Sequence, residues 1–92
     1  MRDKEKNIEY KLISAFNLLS DEIVESDFGY RKEDFLQYLE VTEWRLAMEE
    51  LDGVMEDNES PCDEFWNHLI AAAKLMNQEK HVAKYETYKS TT

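Results

Sequence analysis

Apolar residues recur at three- and four-residue steps in each main segment of this chain, the spacing of one helical face. The clearest case is residues 41–57, VTEWRLAMEELDGVMED. Wound into a helix at about 100° per residue, Val41, Trp44, Ala47, Met48, Leu51, Val54 and Met55 share an arc of about 140°. Glu49, Glu50, Glu56 and Asp57 lie opposite, with Leu46 and Gly53 among them. One side can bury while the other stays negative, so this stretch is expected to be the central helix of a small helical domain. Gly53 alone argues against it, since an interior helical glycine costs about 1 kcal/mol relative to alanine.

The remaining segments follow the same logic. Ile8, Leu12, Ala15, Phe16, Leu19 and Ile23 stay in phase past Ser20 and predict one long first helix over residues 3–25. A break at Ser20, capping a new turn, is the competing arrangement. ESDFGY, residues 25–30, carries Gly29 and two N-cap candidates and reads as a loop. A short second helix, Lys32–Glu40, turns Phe35, Leu36 and Leu39 inward, and Thr42 is a candidate N-cap for the central helix. Residues 57–59 close that helix. Ser60 as N-cap, Pro61 at the first helical position, and Asp63 and Glu64 in the first turn open a fourth, running to Asn77. Its inner stripe is Phe65, Leu69, Ala72 and Met76. The expected architecture is all-α, a compact bundle of about four helices forming one domain over residues 1–80. Residues 81–92 are expected to form a weakly structured tail, from which Val82 and Tyr85 can dock one more turn.

Composition supports this picture: 92 residues suffice for one modest core, and two glycines and one proline favour helices over a turn-rich β fold. The net charge is -10, from 21 acidic and 11 basic residues. Such a field repels a free nucleic-acid backbone or an anionic membrane and attracts a basic protein. Cys62 is the only cysteine, which excludes an intrachain disulfide and fits a reducing compartment. The first ten residues alternate charge without the apolar core of a secretory signal. Residues 69–73, the longest apolar run, fall far short of the roughly 20 needed to span a bilayer. A soluble, cytoplasmic protein is expected.

Enzyme signatures are missing from the sequence: it has no Gly-rich phosphate loop, no HExxH, and no Ser or Cys near a plausible base. No cofactor or metal is expected. Glu64 and His68, four apart, read as a surface ion pair of about 0.3 kcal/mol, and no further Cys or His completes a zinc site. Cys62 sits in a helical first turn, but Asp63 and Glu64 beside it oppose thiolate formation, so it reads as inert.

Charge distribution is the feature that rises above this background. Residues 1–20 carry a net +1 and residues 60–92 a net zero, whereas residues 21–59 hold fourteen acids against Arg31, Lys32 and Arg45, a net of -11. Phe28, Tyr30, Phe35, Tyr38 and Trp44 are interleaved with those acids. A solvated face that keeps a small protein in solution is one explanation, and a binding surface is the other.

The run DFLQYLEVTEWRLAMEEL, residues 34–51, resembles the small helical immunity proteins of bacterial polymorphic and contact-dependent toxin systems, especially the MafI-like group. Glu43, Leu46, Ala47, Glu49 and Leu51 match their Glu-x-x-Leu-Ala-x-Glu-x-Leu helix, and a helix opening near a Ser, as at Ser60-Pro61, typically follows. The similarity covers roughly residues 34–76. Where such proteins often carry Gly before the Glu, this chain has Val41-Thr42. The resemblance implies a non-enzymatic protein that binds and neutralises one cognate toxin, commonly a basic nuclease domain, inside the bacterial cell that makes it. Glu43, Leu46, Glu49, Glu50, Glu56 and Asp57 are the candidate partner-binding residues. Leu46 is either an anchor among acids or a residue covered by a neighbouring helix. The alternative reading is a regulatory or adaptor module that binds a basic helix, or self-associates as a homodimer through Leu46 and its neighbours. An acid–base enzyme built from the carboxylates is a distant third, for want of a base in a perturbed setting.

Overall fold

The computed structural model describes residues 2–89 and, among them, only helices. They are α1 (Arg2–Phe16), α2 (Lys32–Glu40), α3 (Trp44–Asp52), which runs on into a 3-10 turn (Gly53–Glu56), α4 (Asp63–Leu75) and α5 (Glu79–Glu86). None is long and apolar enough to cross a membrane. α1 packs along α4, α2 against α3, and α4 against α5. A single core joins Ile8, Leu12 and Ala15 of α1, Phe35 of α2, Met48 and Leu51 of α3, Phe65, Trp66 and Leu69 of α4, and Tyr85 of α5. Each large side chain so buried contributes about 1.5–3 kcal/mol.

The all-α class holds, with five α-helices among the described residues where about four were expected, and several boundaries move. The long first helix stops at Phe16. Leu19 and Ile23 still pack on the core, but residues 17–31 reach it as an irregular loop. Here tertiary hydrogen bonds replace helical ones. The Asn58 carboxamide oxygen accepts the Val24 N–H at 2.8 Å, and its NH2 donates to the Val24 carbonyl at 3.0 Å. Such a backbone needs no i−4 partner.

At the α2–α3 junction Thr42 is not an N-cap. It has φ 57, the left-handed residue of a Schellman turn, in which Glu43 N–H bonds Tyr38 C=O at 2.9 Å and Thr42 N–H bonds Leu39 C=O at 3.1 Å. A β-branched residue is strained in that conformation. α3 accordingly begins at Trp44, leaving Val41 55% exposed instead of buried. Leu36, expected inside, is 44% exposed. Asn77, with φ 58, closes α4 by the same turn, with Gln78 N–H on Ala73 C=O at 2.8 Å.

Gly53 marks the change from α to 3-10 winding and has ordinary helical angles. Its lack of a side chain serves packing: a Cβ there would lie 2.9 Å from the carbonyl carbon of Gly29, so the two glycines let the loop cross directly on the helix.

Two further expectations give way at the C-terminal half. Ser60 does not cap α4, whose N-cap is Cys62 without a side-chain hydrogen bond. The Ser60 hydroxyl instead accepts the Trp66 indole N–H at 2.7 Å and donates to the Tyr88 carbonyl at 3.2 Å. The expected weak tail is, through Tyr88, part of the fold. Tyr85 is fully buried, and the rings of Tyr85 and Tyr88 lie 5.5 and 4.8 Å from that of Trp66. The last part of that tail, residues 90–92, lies outside the described residues.

Candidate functional site

The outer face of α3 forms the floor of an open cleft of about 440 Å³. One wall is the loop at Asp27, Phe28 and Gly29; the other is Lys84 of α5 with Tyr88 beyond it. Leu46, Glu49, Glu50 and Asp52 project from α3, Met55 and Glu56 from the 3-10 turn, and Tyr38 from α2. Five carboxylates thus face one ammonium group, over walls supplied by Leu46, Met55 and three aromatic rings.

Four of the six sequence candidates meet here: Leu46, Glu49, Glu50 and Glu56. Leu46 is half-buried in the cleft wall. Glu43 and Asp57 are not in the lining. Glu43 is the exposed N-cap residue of α3. The Asp57 carboxylate accepts the Ser26 hydroxyl at 2.5 Å and holds the loop from behind.

The acids of the cleft do different work. Glu49 bonds the His81 ring Nε2 at 2.8 Å, bridging α3 to α5. Asp52 accepts the Tyr85 hydroxyl at 2.6 Å, with Lys84 Nζ at 3.9 Å, and only 12% of its side chain is exposed. Burial pushes the Asp52 carboxyl above its usual range, and the Tyr85 hydroxyl works against that shift. Burial likewise raises Glu50, countered by the Arg31 N–H that it accepts at 2.7 Å. Glu25 accepts the next N–H, that of Lys32, at 3.0 Å. Two carboxylates from elsewhere therefore satisfy the positive N-terminus of α2, which Arg31 itself leaves uncapped. Tyr30, buried below Glu25 and Glu50, has its phenol pushed up to about 12 by burial and by those two charges. Asp27 pairs with Arg31 at 3.1 Å, so of the five cleft carboxylates only that of Glu56 has no hydrogen bond or ion pair to another described residue.

Glu49 and Glu50, expected on the negative side opposite the buried arc, are both half-buried and committed to neighbouring elements. Sequence reasoning missed Asp27, Asp52, Lys84 and Tyr88, and named Phe28 only as one of the aromatics interleaved with the acids. Phe28 had a signal, an aromatic inside an acidic loop beside a glycine. Lys84 and Tyr88 had none, because nothing in their local pattern brings α5 over α3.

The Glu64–His68 pair is present at 3.7 Å. Among the described residues no group of three or more His, Cys, Asp or Glu is arranged to hold a metal ion. Comparison with protein-family models, curated proteins and solved structures finds no match for this chain.

Proposed function

We propose that this protein is a non-enzymatic binding protein that neutralises a basic toxin domain, a nuclease being the commonest kind, through the acidic cleft on α3. The single observation that carries the reading is the cleft itself, five carboxylates around one lysine on partly apolar walls. The sequence resemblance to small immunity proteins over residues 34–76 supports it independently. Acids in such a cleft steer a basic partner into encounter, while the apolar walls hold it once docked. Cytoplasmic action belongs to the same reading.

An adaptor module that binds several basic helices is the second reading, favoured by the openness of the cleft toward solvent. Affinity capture from lysate of the native cell separates the two. The immunity reading expects one tightly held basic protein, toxic when expressed alone and harmless when this chain is co-expressed. It also expects capture to fall when Asp27 and Glu56 are both changed to Lys. The same reversals at Asp3 and Glu5 on α1 should change nothing. Several weak partners, or equal loss from both pairs, would replace immunity with the adaptor reading or with a mere solubility role.

A further inference from the structure

Phe28 is 92% exposed, the most exposed large apolar side chain of the described residues, yet the loop that carries it is firmly held. Asn58 grips Val24 on both backbone sides, Asp57 holds the Ser26 hydroxyl, and the Gly29 N–H closes a turn onto the Ser26 carbonyl at 3.3 Å. Tyr30, two residues on, is buried in the core. A loop backbone held in this way has little freedom left to lose when a partner covers its tip, so the position from which Phe28 projects is preorganised for contact. A charged residue lies beside it: a Cβ on Gly29 would meet the Asp57 carboxylate, which Ser26 already holds, and come within 3.1 Å of the Glu56 Cβ, so the loop tip adjoins the residue that carries the one uncommitted carboxylate of the cleft.

We propose that this corner of the cleft seats an arginine side chain of the partner, its guanidinium stacked on the Phe28 ring and paired with the Glu56 carboxylate. The inference rests on the reading of the cleft as a partner-binding face and names the anchoring group. A guanidinium is planar, weakly hydrated and able to fork onto a carboxylate, so one side chain can use the ring face and the charge together. An ammonium is a compact, strongly hydrated point charge and uses mainly the carboxylate. Among the described residues no cation of the chain fills the place. Arg31 is drawn to Asp27 at 3.1 Å, and the described ring–cation contacts involve Tyr10 and Phe16, not Phe28.

The test is a nuclear magnetic resonance titration of the full chain with three capped peptides: Gly-Arg-Gly-Arg-Gly and its lysine and leucine counterparts. The arginine peptide should shift the amides of Asp27, Phe28, Gly29 and Glu56 and bind about three-fold more tightly than the lysine peptide. Phe28→Ala should weaken the arginine peptide about two- to five-fold, the range an exposed cation–π contact supplies, and erase its advantage over lysine. Phe28→Leu, which keeps apolar bulk without a ring face, should do the same. Glu56→Gln should weaken both cationic peptides. Equal binding of arginine and lysine, equally tight leucine binding, or indifference to both Phe28 changes overturns the arginine seat. A toxin captured by the chain and unaffected by Phe28→Ala would overturn the seat while leaving the binding face standing. Arginine selectivity at the cleft with no toxin captured would overturn immunity and leave the seat.

Discussion

The two faces of α3 are made from the same nine residues and are both largely withdrawn from solvent, but by opposite means. The inner face buries Ala47, Met48 and Leu51 completely against α1 and α4, where shape and apolar area decide the fit. The outer face carries Glu49, Glu50 and Asp52, each half-buried and each tied to a group from another element. Burial on the inside is non-directional and needs only apolar material. Burial on the outside is acceptable only because each carboxylate meets a donor, and a carboxylate left without one would be expensive. A helix can thus be amphipathic by sequence without its polar side being its wet side.

The largest expected effect tests the inner face. Leu51→Ala should lower unfolding free energy by about 2–5 kcal/mol in chemical denaturation, as fully buried leucines do. A loss below about 1 kcal/mol would mean that α3 does not present this side to the core.

Next comes the bond that fastens α5 to the outer face. Tyr85→Phe keeps the ring in the core and removes the donor to Asp52, leaving a mostly buried carboxylate without its shortest partner. A loss of about 1–3 kcal/mol is expected, measurable by thermal or denaturant unfolding. An unchanged stability would show that water or Lys84 serves Asp52 equally well.

Within the outer face, Glu50 and Glu43 should part company. Glu50→Ala strips the acceptor from Arg31 N–H at the start of α2 and should cost about 1 kcal/mol, whereas Glu43→Ala, exposed, should stay within about 0.5 kcal/mol. The pH dependence carries the same distinction. Burial raises Glu50 and Asp52 above their ordinary values of 4.5 and 3.8, so the folded chain holds protons that the unfolded chain has released. Stability from these two groups is therefore greatest at low pH and is lost as pH rises from those values through the folded titration. This is the reverse of an ordinary salt-bridged carboxylate. Denaturation midpoints across that range should show a flatter slope for Glu50→Gln than for the unaltered chain.

The smallest expected change lies at the entry to α3 and touches neither face. Thr42→Gly relieves a β-branched residue of its left-handed backbone and should raise stability by up to about 1 kcal/mol, after the greater entropy of unfolded glycine is subtracted. Destabilisation instead would mean that the Thr42 hydroxyl bond to the Val41 carbonyl outweighs the strain.

Much of the inner face was legible in the sequence. Ile8, Leu12, Phe35, Leu51, Phe65 and Leu69 stand at helical spacings and are all buried, because core-forming periodicity is a local property of each helix. The acidic stretch around α3 was legible too, as composition. Less legible was the path of residues 17–31. Their apolar stripe continues the phase of α1, and periodicity cannot tell a helix from a loop whose side chains reach the core by another route.

By itself, then, the sequence determined the helical class, the core stripes, the net charge of the middle segment and four of the residues that meet in the cleft. Tertiary structure alone decided which acids remain available. Asn58 and the paired glycines Gly29 and Gly53 bring the loop onto the 3-10 turn, and His81 and Tyr85 of α5 engage Glu49 and Asp52, leaving Glu56 beside the exposed Phe28. The physical reason is range. A carboxylate's burial and partners are set by residues about thirty positions away in the chain, whereas helical periodicity reports only on neighbours within a turn or two.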